Sequence, residues 1–162
     1  MKATLVIAAI AARAGLGLFT ALAMAAPAVT QPTDPRDSRG TEIITTLSGG
    51  TGQPVLDALR RDVPALGDAV LKYALGDVFG SEALDIRTRQ LAVVAAFAAQ
   101  GNLPYLKIHA GYALNNGVKP QELLDIALVT TVTAGFPRAI DAAQALREVF
   151  AERGIALPLT KN

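Results

Sequence analysis

The chain has 162 residues, 51% of them hydrophobic, with 15 basic against 14 acidic side chains and one histidine. That length suits one domain with an extension, and near-neutral, scattered charge gives no electrostatic case for a nucleic-acid partner or an anionic membrane surface. Cysteine is absent, which excludes disulfides and thiol catalysis; with a single histidine besides, no metal site and no cofactor is expected.

Residues 1–26 read as a signal peptide. Lys2 and Arg13 flank and interrupt an apolar run that ends in the small residues Ala21 to Ala28 around Pro27, the pattern of a cleavable export signal. The uncharged part, Ala14 to Met24, falls short of the ~20 residues a spanning helix needs. Export to the periplasm or beyond is expected, with no stable membrane insertion once the signal is removed; a retained single-helix anchor is the alternative. Loss of Lys2 and Arg13, with no acidic residue lost, turns the net charge from +1 to −1.

Residues 27–53 read as a flexible linker, because Pro32, Pro35, Gly40, Gly49, Gly50 and Gly52 punctuate the segment closely. Within it, Glu42 to Leu47 could form a strand or a helix turn that docks on the domain or a neighbouring subunit. Gly49-Gly50-Thr51-Gly52 has no lysine and no strand–turn–helix setting, so linker is a better reading than phosphate loop.

From residue 54 to 162 the pattern is that of a helical domain. Pro54 suits a first helical turn, followed by Val55, Leu56 and Leu59; Pro64 opens a second segment carrying Leu66, Val70, Leu71 and Ala74. Asp85 is placed to cap a helix from Ile86 to Gln100, stopped by Gly101. Asn102 can cap the next, which ends at Gly117. Pro120 opens another, from Gln121 to Thr133, and Gly135-Phe136-Pro137 breaks it before a last helix from Arg138 to Arg153. The β-branched run Val129 to Thr133 favours strand by propensity, yet it continues the helical period of Leu123, Leu124, Ala127 and Leu128. Leu91 to Ala99 and Leu123 to Val132 are apolar nearly all round, more than a small monomer buries, so a homo-oligomer is expected.

Four segments carry a resemblance: Leu84-Asp85-Ile86-Arg87-Thr88-Arg89-Gln90-Leu91-Ala92, Ile108-His109, Ala113 to Leu123, and Ala134-Gly135-Phe136-Pro137-Arg138-Ala139. In order and spacing, the stretch from Pro64 to Phe150 resembles the carboxymuconolactone decarboxylase family. The resemblance implies an all-α orthogonal bundle of about six helices, alkyl hydroperoxidase D-like, assembled as a trimer or hexamer. The family's glutamate position falls on Gln90 and its histidine on His109, while the cysteine pair of the peroxidase branch falls on Asn102 and Tyr105. Thiol peroxidase activity is therefore not expected. Thr133 stands where relatives often carry a tyrosine.

His109 is the natural proton donor for a decarboxylation, since an imidazole with a free pKa of about 6.5 exchanges protons near neutrality. Gln90 is neutral and cannot act as a base, but its amide can orient His109 or a substrate oxygen. Tyr105 and Tyr112 share the helix face of His109, and Arg87, Arg89 or Arg138 would hold a carboxylate; Asn102 is the remaining candidate contact. Each has a structural alternative: a salt-bridge cluster for Arg87 and Arg89, a helix cap for Asn102, a packed core or interface residue for His109. Two functional readings follow: a cofactor-independent lyase acting on a small carboxylated lactone or oxo-acid, or a non-catalytic exported protein that binds a small acid.

Overall fold

The computed structural model describes residues 34–159, so the expected signal peptide, its anchor alternative and the first part of the expected linker lie outside the described residues. Among the described residues the chain is all-helical, and no helix is long and apolar enough to cross a membrane. The described residues hold seven helices where about six are expected: α1 (Pro35–Ser48), α2 (Pro54–Asp62), α3 (Pro64–Ala69, continuing as a π-helical stretch over Val70–Phe79), α4 (Ile86–Gln100), α5 (Leu103–Asn115), α6 (Pro120–Ala134) and α7 (Phe136–Glu152).

The extra helix is α1, which corrects the reading of residues 27–53 as a flexible linker. Pro35 occupies its first turn, and the Asp34 carboxylate accepts the Arg36 N–H at 3.0 Å. It stops at Gly49, whose φ of 63° is left-handed. Gly40, Ile43, Ile44 and Leu47 fall on one face of this helix, and Leu47 is completely buried. Gly40 is a contact rather than a break. A Cβ there would stand 2.1 Å from the Leu71 carbonyl oxygen, and one at Gly76 would stand 2.7 Å from that of Arg36. The missing side chains let α1 and the π-helical stretch cross backbone against backbone, so the helical domain begins at α1 and not at Pro54.

The remaining helices start and stop on the expected signals. The Asp85 carboxylate accepts from the Thr88 N–H at 2.9 Å, and Gly101 closes α4 with a φ of 71°. Glu122 reaches back to the Lys119 N–H at 2.8 Å, opening α6 with half a capping box. The β-branched run is helical throughout, because Leu123, Ala127 and Thr130 bury one face of α6. Asn102 stands at the cap position of α5 but makes no capping hydrogen bond.

Two apolar clusters result. The larger joins α4 to α7 around Phe150, Leu106, Leu123 and Leu146. The smaller joins α1, α2 and the π-helical stretch around Leu47, Leu56 and Leu71. Helix α5 lies between them, and its face towards the smaller cluster carries the site.

Candidate functional site

The α5 residues Tyr105, Ile108, His109 and Tyr112 follow one another at helical spacing and line a hollow of about 170 Å³. Its other walls are apolar side chains of α1, α2 and the π-helical stretch, with Gln53 at the edge. That is the size class of a site that holds a benzene-sized ring. Three aromatic rings enclose the imidazole of His109. Phe79 stacks at 5.9 Å between centroids, Phe97 tilts over it at 5.3 Å, and Tyr112 meets it edge-on at 5.5 Å.

Gln90 holds the ring from behind. Its side chain is completely buried on α4, and Oε1 lies 2.9 Å from His109 Nδ1. A carbonyl oxygen only accepts, so this pairing fixes the proton on Nδ1 and leaves Nε2 as a lone-pair nitrogen. Among the described residues Nε2 has no hydrogen-bond partner, and it is not sealed off from the hollow or solvent. Gln90 itself does not line the hollow. It is a positioning residue, acting through His109.

Burial sets the charge state. Desolvation holds the His109 pKa down to about 4, so the free protein carries a neutral imidazole at pH 7. Burial also raises the Tyr112 hydroxyl, with the neighbouring Gln53 side chain opposing the shift, so Tyr112 stays protonated and able to donate.

The low histidine value is a statement about stability. Between pH 6.5 and pH 4 the unfolded chain takes up a proton that native His109 refuses. The contribution of His109 is therefore intact above pH 6.5 and is lost as the pH falls towards 4, by roughly 3 kcal/mol in all. Urea unfolding of wild type and His109→Gln across this window should show that extra acid slope in the wild type alone.

The arginines are not brought to the hollow. Arg87 pairs with Glu122 and reaches the Gly117 carbonyl, tying α4 to α6. One Arg89 nitrogen donates to the backbone carbonyls of Ser81 at 2.7 Å and Leu84 at 3.1 Å, bracing the turn before α4. Arg138 lies against Gly101 at the opposite end of α4. Asn102 is likewise absent from the walls. Among the described residues, no charged side chain lines the hollow. Phe79, Phe97 and Gln53 were not singled out from sequence; only Phe97 carried a usable signal, seven residues after Gln90 on the same face of α4.

The sequence profile of the carboxymuconolactone decarboxylase family matches residues 64–148, more than half of the chain. The chain belongs to that family. It is 33% identical over 87 residues to the 4-carboxymuconolactone decarboxylase of Acinetobacter baylyi, an alignment covering 54% of this chain and 65% of that protein. The chain thus spans just under two thirds of that relative's length. An uncharacterized protein of Methanocaldococcus jannaschii is 27% identical over 94 residues, 58% of this chain and 87% of its own. Gln90 and His109 lie inside the stretch matched by the family, whereas α1 and Gln53 lie outside it.

Proposed function

We propose that the protein is a cofactor-independent carboxy-lyase whose proton donor, His109, is charged by the substrate itself. The observation that carries this reading is the neutral, oriented imidazole in an apolar hollow that no charged side chain of the described residues lines. A carboxylate cannot enter such a space alone, because an unpaired buried charge is too costly. It can enter with a proton, as a carboxylate–imidazolium pair whose net charge is zero. The Nδ1–H stays on Gln90, and the new proton sits on Nε2.

The reaction then balances without a further reagent. The bond between the carboxylate carbon and its neighbour breaks, carbon dioxide leaves, and the electron pair delocalises towards an adjacent carbonyl. Nε2–H of the imidazolium delivers its proton to carbon and returns to the neutral state. Tyr112, held protonated by burial, and Tyr105, stacked on Phe97 at 5.5 Å, supply hydroxyl donors for the developing oxyanion. A small carboxylated lactone of the kind named by the Acinetobacter baylyi relative suits this chemistry.

A second copy of the chain is part of the proposal. Leu128, Val132, Phe136 and Ile140 are 63% to 87% exposed on α6 and α7, an apolar face that a trimer or hexamer would cover. Export, argued from residues 1–26, belongs to the same reading.

The test is carbon dioxide release by the purified protein from carboxymuconolactone and related small oxo-acids. Release is the expected result. Binding of one of these acids without any release would favour the non-catalytic small-acid-binding protein, a reading that the neutral Gln90 supports.

A further inference from the structure

Two of the helices that wall the His109 hollow, α1 and α2, lie ahead of the stretch matched by the family, and they are attached very differently. Helix α1 is fixed. It crosses the π-helical stretch backbone against backbone at Gly40 and Gly76, and the side-chain amides of Asn115 and Asn116 donate to its Leu47 and Thr46 carbonyls at 2.9 and 3.4 Å. Helix α2 brings Val55, Leu56 and Leu59 to the hollow, yet Leu56 is its one buried residue. Among the described residues, no side chain from Pro54 to Asp62 forms a hydrogen bond or ion pair with another element; Arg61 pairs with its own neighbour, Asp62.

The two ends of α2 differ as well. Ahead of it stands a turn in which Gly50 and Gly52 have φ of 86° and 74°, and a Cβ on either would meet nothing within 4 Å. That turn is unpacked, and its glycines leave the backbone free to move. Behind it, the single non-helical residue Val63 separates α2 from α3. Gly67 of α3 lies bare against Arg60, where a Cβ would stand 2.6 Å from the Arg60 backbone nitrogen. Helix α2 is thus held at its C-terminal corner and loose at its N-terminal end.

We infer that α2 is a lid on the hollow, pivoting at the Val63 corner and released by the glycine turn, and that its opening exposes Nε2 of His109. Closed, its apolar side chains keep water from the imidazole; open, they let the ligand in. The inference does not rest on the lyase reading, since binding and turnover alike need access to the ring.

The experiment follows the acylation of His109 by diethyl pyrocarbonate on the full chain. With one histidine present, the ultraviolet absorbance of the carbethoxy-imidazole reports this ring alone. Gly67→Ala tests the pivot without touching the wall of the hollow, because its Cβ would press on Arg60 and lift α2 away. It should speed the modification about tenfold. Val94→Ala, in the larger core, weakens the whole fold but should change the rate by less than about twofold. Hydrogen exchange on the wild type is the second measurement. A helix of nine residues lifted off its support does not keep its hydrogen bonds. The Asp57 amide, bonded to the Gln53 carbonyl at 3.1 Å, should therefore exchange through an opening that urea hardly affects. The amide of fully buried Ala110, in α5, should exchange only as the whole fold opens. A Gly67→Ala rate no faster than wild type, an equal acceleration by Val94→Ala, or an Asp57 amide that waits for global unfolding would overturn the lid.

Discussion

Replacing His109 with alanine should lower carbon dioxide release by about 10² to 10⁴-fold, the range typical of a lost general acid. Two losses coincide in this variant. The substrate carboxylate loses the group that lets it enter an apolar hollow as a neutral pair, and the carbanion loses its proton source. KM should therefore rise as kcat falls. The change should also cost about 1–3 kcal/mol of stability, because it leaves the completely buried Gln90 Oε1 without its donor, so the variant's rates are read on protein shown to be folded by circular dichroism. Steady-state rates on the substrate that the wild type turns over check this directly. An unchanged rate would remove the imidazole from the mechanism.

Gly40→Ala should destabilise the protein by about 1–3 kcal/mol, the usual cost of forcing atoms into a filled interface. The sign is the informative part. In an isolated helix the same change would stabilise by about 1 kcal/mol, since glycine is a poor helix former. Here the new Cβ meets the Leu71 carbonyl oxygen at 2.1 Å, a backbone atom that cannot rotate away. Because Ile44 and Leu47 of α1 wall the hollow, the variant should also lose substrate affinity. Urea unfolding measures the first effect. A stabilised variant would mean that α1 does not dock on the π-helical stretch.

Most of the helical frame was legible because caps and breakers act locally. Asp85, Gly101, Pro120 and Gly135 each announce a boundary through chemistry confined to one turn. α1 was not legible for a related reason. The spacing of Gly40, Ile44 and Leu47 is a weak helical pattern, and prolines and glycines on both sides masked it; only a partner surface reveals Gly40 as a crossing point. The pairing of Gln90 with His109 was legible as a resemblance, since both positions fall in the family's pattern, and the structure supplies the 2.9 Å contact between them. The environment of the imidazole was not legible. Phe79 comes from the end of a π-helical stretch and Gln53 from a turn before α2, and nothing local ties either to α5. Arginines pose the reverse problem. Arg87, Arg89 and Arg138 looked available for a carboxylate because sequence does not show which ones the fold consumes, and Glu122 and the carbonyls of Ser81 and Leu84 consume two of them.

Because His109 is the only histidine, its ring proton resonances can be followed through a pH titration without assignment by mutagenesis. In the free protein the ring should stay neutral down to about pH 4. With a saturating small oxo-acid it should be protonated at pH 6, one proton arriving with each bound acid. A ring that titrates near its ordinary value in the free protein, or that stays neutral when the acid is added, would contradict the account.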